Sequence, residues 1–249
     1  MQRLRFRYAK RGRLRFSSHR DFQRALERAI RRAGVPVAFS AGFSPHPKIS
    51  YAGAAPTGVA SEAEYVEVAV VERCDPALVR AALDEALPAG LDVIEVVEAL
   101  TPDLPQRLEA SVWRIALPGV TPREADAACH ALLGAAAIEV ERVTKAGVRR
   151  FDARAAVLSL VVLPPDTLPP DTDGVRADPQ QPCAILEAVV RHVTPSVRPD
   201  DVLTALRSVA DLAPPEPPRV IRLAQGPLVA GDTSVGDPLA PDREAAVGV

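Results

Sequence analysis

Residues 42–50 read Gly-Phe-Ser-Pro-His-Pro-Lys-Ile-Ser, and this spacing suggests chemistry. Pro45 and Pro47 fix their own φ angles and bias the residue before each toward extended backbone. His46 and Lys48 therefore sit on a stiffened loop, which loses little entropy on binding. Alternate residues of an extended segment share a side, so Ser44, His46, Lys48 and Ser50 are expected to point together. An imidazole there could move a proton near neutral pH, and the neighbouring ammonium could hold an anion or a developing phosphorane. The plain alternative is a loop that packs over a sheet edge.

A second histidine lies in Ser-Ser-His-Arg-Asp, residues 17–21. Ser18 with Asp21 three residues later is a capping-box pattern, which places His19 in a first helical turn. The helix dipole there favours the neutral imidazole that a general base needs. Local hydrogen bonding beside the cap is the alternative for His19, and Asp21 reads as the capping residue. Glu62 and Glu64 could pair with Lys48 or an arginine, or simply begin a strand. No spacing ties His19, His46, Glu62 and Glu64 into a metal site, and none is expected. Cys74, Cys129 and Cys183 are scattered without a CxxC, so no cysteine-held metal or cluster is expected, nor any cofactor. They read as small buried hydrophobes.

Charge is the other informative signal. The formal net charge is −2, yet residues 1–50 hold 13 of the 30 Lys/Arg and only 2 of the 32 Asp/Glu. Arg3, Arg5 and Arg7 alternate with Leu4, Phe6 and Tyr8, giving a strand with one apolar and one cationic side. Arg20, Arg24, Arg28 and Arg32 step by four along a helix whose apolar side is Phe22, Ala25, Leu26, Ala29 and Ile30. With so few acids nearby, these cations predict an anion-seeking face, and nucleic acid is the commonest such partner. Lys145, Arg149, Arg150 and Arg154 would extend that surface. Phe6, Tyr8 and Phe16 lie beside the arginines and could stack on bases, but the alternation assigns most of them to the core.

The elements that must position these groups follow in order. A strand (3–9), a turn and a short extended piece (14–17) precede a helix that Gly34 stops. Residues 35–40 read as a strand, 41–63 as a loop, 64–72 as a strand, 75–87 as a helix with Asp75 as cap and Pro76 first, and 90–100 as a strand. This is a βαββαβ order, the ferredoxin-like plan. A weaker echo follows. It has a strand at 110–118, a helix capped by Thr121, strands at 137–143 and 149–163, a Pro/Asp loop at 164–181, and helices at 182–193 and 198–209. The expectation is an α+β protein of two tandem ferredoxin-like lobes, 1–103 and 108–210. A Pro-, Ala- and Gly-rich tail, 211–249, is expected to be largely disordered. No apolar run is long enough for a membrane helix, and the basic N-terminus lacks a signal-like apolar region, so a cytoplasmic protein without a membrane partner is expected.

Residues 5–52, from Arg-Phe-Arg-Tyr-Ala to Ile-Ser-Tyr-Ala, followed by Gly-Val-Ala-Ser-Glu-Ala-Glu-Tyr at 58–65, resemble the radical-SAM-linked protein family. The likeness covers 3–70 best and reappears more weakly at 145–157. It implies a bacterial accessory protein encoded beside, or fused to, a radical SAM protein. That partner would carry the iron–sulfur cluster, and RNA is the plausible common substrate.

Three readings stay open. The first, taken as the working expectation, is an accessory RNA- or anion-binding module. In it Arg3, Arg5, Arg7, Arg20, Arg24, Arg28, Arg149 and Arg150 position phosphates, while Ser44, His46 and Lys48 add specificity. The second is a metal-independent RNA endonuclease of the repeat-associated (RAMP-like) type, with His19 or His46 and Lys48 as catalytic candidates. The third is a protein-interaction subunit with a basic docking face.

Overall fold

Leu4, Phe6 and Tyr8 alternate with Arg3, Arg5 and Arg7 along β1 (Gln2–Lys10), and the three apolar residues are buried in one core cluster. That core is closed by α1 (His19–Arg32), whose Phe22, Ala25, Leu26, Ala29 and Ile30 are buried against it. Tyr8 stacks on Phe22 with ring centroids 4.1 Å apart. The expected capping box is present. Ser18 Oγ accepts from the Asp21 N–H at 3.2 Å, and the Asp21 carboxylate accepts from the Ser18 N–H at 3.1 Å. Gly34 ends the helix at φ +66°, a conformation that costs a glycine little.

The computed structural model describes residues 1–144, 147–167, 181–230 and 233–247. They form two units, residues 1–108 with 237–249, and residues 109–236. Strands and helices are mixed in both.

In the first unit the chain continues through β2 (Ile49–Ala52), β3 (Ala60–Val70), α2 (Pro76–Ala86), β4 (Val93–Glu98) and the one-turn α3 (Leu104–Arg107). The antiparallel sheet has the order β4-β1-β3-β2. Val79 and Leu83 of α2 join the same core as α1, so both helices cover the side of the sheet that Leu4, Phe6 and Tyr8 face. Two local expectations are corrected. Residues 14–16 lie in a 3-10 turn, Gly12–Phe16, instead of an extended piece. Residues 35–40 make only isolated bridges, Val37 with Val70 and Phe39 with Pro47, and the strand forms later, at β2. Pro36 lacks the N–H a ladder needs, whereas Ile49 and Tyr51 suit a pleated surface.

The second unit comprises β5 (Ala110–Pro118), α4 (Pro122–Gly134), β6 (Glu139–Thr144), β7 (Gly147–Asp152), β8 (Val157–Leu163), β9 (Cys183–Arg191), α5 (Pro199–Ala210) and β10 (Arg219–Gly226). Its sheet is antiparallel with the order β10-β5-β9-β8, and β6 and β7 form a separate hairpin. Thr121 and Glu124 cap α4 reciprocally, as expected. The helix expected at 182–193 is instead the strand β9. Ile185, Leu186, Ala188, Val189 and Val190 are all buried, and a strand covered on both sides reads as a continuous apolar run. The strand expected at 149–163 is broken at Arg154–Ala156 into β7 and β8.

The tail also differs from expectation. Residues 219–226 are β10, held to β5 through backbone pairing, and α6 (Ala240–Val247) belongs to the first unit. Leu239 is fully buried with Ala52, Tyr65, Val97, Leu104 and Leu108, on the sheet side opposite α1. Anchors so remote in sequence leave no local periodicity to detect. Most of the expected 164–181 loop, with Lys145, lies outside the described residues. Among the described residues no helix is long and apolar enough to cross a membrane.

Candidate functional site

The three strand arginines share a side of β1, and acids from elsewhere in the chain meet them there. Arg5 is 3% exposed. Its Nε donates to Glu67 at 2.9 Å and its Nη1 to Asp242 at 2.7 Å. Arg3 donates to Glu67 at 3.1 Å, and Arg7 Nε donates to the Glu62 carbonyl at 2.9 Å. Nearby, Arg11 pairs with Glu62 and Asp92 at 2.5 and 2.7 Å, and the Glu62 hydrogen bond leads the raising of its pKa. The expected open cationic face of β1 is thereby corrected. Arg5 is an interior ion-pair residue, Arg7 is half-buried, and only Arg3 retains substantial exposure. The missing acids were in the sequence but far away, at 62, 67, 92 and 242.

Helix α1 is different. Arg20, Arg24, Arg28, Arg31 and Arg32 are all exposed, and Arg20, Arg28, Arg31 and Arg32 make no hydrogen bond or ion pair among the described residues. Arg24 acts only at a distance on Asp21, whose carboxyl is held below its usual range mainly by hydrogen bonds from Ser18. At 1.5 Å rise per residue the stripe from Arg20 to Arg32 runs roughly 18 Å. The apolar side of α1 is fixed by packing, so the arginines have no orientation available except toward solvent.

The proline loop lies at the other side of the sheet. Ser40 N–H donates to the His46 carbonyl at 2.8 Å and Ser40 Oγ accepts from the His46 N–H at 3.0 Å. Lys48 then bonds the backbone of Ala38 and Ala69, which fixes both residues at the entry to β2. His46, Lys48 and Ser50 line one hollow of about 480 Å³ together with Met1, Arg3 and Ser40, over Glu67. A neighbouring hollow of about 370 Å³ shares Arg3, Ser50 and Glu67 and adds Arg5, Thr101 and Gln106. The alternation therefore brings three of its four residues together. Ser44 is exposed near the loop tip and does not line the hollow. The side chains of His46 and Lys48 have no partner among the described residues.

His19 is elsewhere. It lies on α1, with Nε2 3.0 Å from Gln23 Nε2 and its ring edge-on to Tyr51 at 4.8 Å. The two histidines are not assembled into one site, and among the described residues no carboxylate bonds the His46 ring. Arg149 and Arg150 sit exposed on β7 of the second unit, where Arg150 pairs with Glu141 at 2.7 Å. Arg154 is structural, donating to the carbonyls of Leu133 and Val157. Burial raises all three thiols, Cys129 to about 12, so none is an activated nucleophile. Among the described residues no three His, Cys, Asp or Glu converge as a metal site.

The family model described as "uncharacterized protein conserved in bacteria" (DUF2344) matches residues 3–199. The chain belongs to that family. The matched segment includes α1, the proline loop, the lining of both hollows except Met1, and the β6–β7 hairpin, and it ends at the start of α5. No curated protein matches the chain. Sequence reasoning missed Ser40, Glu67 and Thr101 around the hollows. Glu67 alone had a usable signal, since it is the single charge within the apolar run 65–70 of β3.

Proposed function

We propose that this protein is an RNA-binding accessory module, cytoplasmic, that works with a radical SAM partner enzyme. The partnership and location rest on the resemblance to the radical-SAM-linked family. We also infer that both units follow the ferredoxin-like plan, the second with the β6–β7 hairpin inserted. The strand orders β4-β1-β3-β2 and β10-β5-β9-β8, each with two helices in βαββαβ sequence, support this.

The observation that carries the binding reading is the α1 stripe. Among the described residues its arginines form no ion pair, although the same fifty residues send Arg3, Arg5 and Arg11 to acids that the fold supplies. Unpaired cations in a row repel one another and gain most from a polyanion. Counterion release makes such binding salt-dependent, with a log–log slope of about −0.7 per phosphate neutralised on a single strand. Replacing Arg20, Arg24 and Arg28 by alanine is expected to weaken binding to single-stranded RNA and reduce the slope by about 2. An unchanged slope refutes the assignment.

A cleaving enzyme draws support only from His46 and Lys48 sharing a hollow. Fold likeness to RNA endonucleases is a weak warrant. In that reading His46→Ala abolishes cleavage and spares most binding.

A further inference from the structure

Asp242 is 1% exposed, yet it is not a bare buried charge. Its Oδ1 accepts from the backbone N–H of Leu100 at 3.0 Å and of Thr101 at 2.9 Å, and from the Thr101 hydroxyl at 2.5 Å. Its Oδ2 accepts from Arg5 at 2.7 Å and Arg107 at 3.2 Å. Burial would raise this carboxyl, but hydrogen bonds from Thr101 and Arg5 outweigh it and hold the group below its usual range. Five donors thus converge on the two oxygens of one anion. They come from two segments distant in sequence, β1 and residues 100–107. Arg107 is itself braced by the Pro102 carbonyl at 2.5 Å and the Pro238 carbonyl at 2.8 Å.

We propose that Arg5, Thr101, Arg107 and the two backbone N–H groups form a binding site for a phosphate monoester, and that Asp242 fills it as an intramolecular plug. Three observations support the assignment. The first is access. Arg5 and Thr101 are also walls of the 370 Å³ hollow, so the cradle adjoins an open space from which a ligand can approach. The second is charge. Without Asp242, the cradle guanidiniums of Arg5 and Arg107 retain one acid partner among the described residues, Glu67 on Arg5, while Arg3 and Asp103 lie exposed at the rim with opposite charges. The remaining positive charge calls for an anion, and a phosphate monoester offers three acceptor oxygens to the five donors where a carboxylate offers two. The third is the boundary of the family match, residues 3–199, which contains every donor of the cradle and excludes its occupant. The donors thus lie within the family segment and the plug outside it.

A tethered carboxylate competes with any free ligand, so affinity for phosphate is masked until α6 lifts. The test uses the full chain and inorganic phosphate, with acetate as the carboxylate arm. In Asp242→Asn, phosphate is expected to raise Tm saturably with a midpoint at least tenfold lower than in the unmutated chain, and acetate to do so much more weakly. Adding Arg107→Ala is expected to abolish the response. The proposal is overturned if phosphate stabilises Asp242→Asn no better than the unmutated chain, or if acetate does as well as phosphate. Should Asp242→Asn fail to fold, hydrogen exchange on the unmutated chain decides. Phosphate must speed exchange within 240–247 while β3 stays protected, and unchanged exchange at the highest soluble phosphate concentration sinks the idea. Arg20, Arg24 and Arg28 are untouched in both variants, so failure here leaves the α1 reading standing.

Discussion

Replacing Arg5 by leucine separates its two conceivable roles by magnitude. A surface arginine that merely awaits a phosphate can be replaced within about 0.5 kcal/mol of the original stability. Arg5 instead spans Glu67 and Asp242, and the Asp242 side chain has no exposure at all. Removing one partner of a buried pair costs about 3–5 kcal/mol, because the other charge is left without compensation. For a unit of this size that corresponds to a fall in Tm of roughly 10–20 °C. The protein supplies its own reporters. All three tyrosines, Tyr8, Tyr51 and Tyr65, lie in the first unit, and the single tryptophan, Trp113, lies in β5 of the second. Tyrosine near-ultraviolet circular dichroism therefore follows the unit that contains Arg5. The double variant Arg5→Leu/Asp242→Leu is expected to recover part of the loss, since it deletes both charges. A cost below about 1 kcal/mol for Arg5→Leu, or no recovery in the double variant, refutes the interior ion pair.

Four further outcomes are expected. Ser18→Ala removes one half of the α1 capping box and costs about 1 kcal/mol in the tyrosine-detected transition, whereas Ser18→Asp retains most of the cap. Leu186→Ala in β9 opens a cavity at a fully buried position and costs about 2–5 kcal/mol, read by Trp113 fluorescence. The Asp242 carboxyl is held below its usual range, so its stabilisation is complete above the unfolded pKa of about 3.9 and is lost as pH falls through the folded value. Acid melts of Asp242→Asn should accordingly be flatter below about pH 4 than those of the unmutated chain. Cys129 is 2% exposed with its thiol pushed up to about 12, so alkylation of the native protein at mildly alkaline pH should modify Cys74 and Cys183 first and Cys129 only on unfolding.

What could be read in the sequence was what short-range chemistry decides. Ser18 with Asp21 and Thr121 with Glu124 announce helix starts, because a capping box is complete within four residues. The side of β1 that enters the core was equally legible from Leu4, Phe6 and Tyr8. The fate of the opposite side was not. Whether Arg5 meets water or Asp242 depends on a chain return of more than 200 residues, and no local pattern encodes it. The same holds for β9, where burial of both sides erases the alternation that marks a strand. The proline loop lies between these cases. Its alternation brought His46, Lys48 and Ser50 to one hollow, but their neighbours Arg3, Ser40 and Glu67 are contributed by tertiary structure.

The discontinuity of the first unit also sets an order of manufacture. Residues 1–108 leave the ribosome early, yet α6, which completes that unit, follows only after all of 109–236. At about 5–20 residues per second, the cradle of Arg5, Thr101 and Arg107 waits roughly 7–27 s for Asp242 to be synthesised. Until then Arg5 has Glu67 as its acid partner, while the Arg107 guanidinium lacks the carboxylate it meets in the folded unit. A chain interrupted before residue 242 would keep that imbalance, so the charge balance of a sheet made early depends on a helix made late.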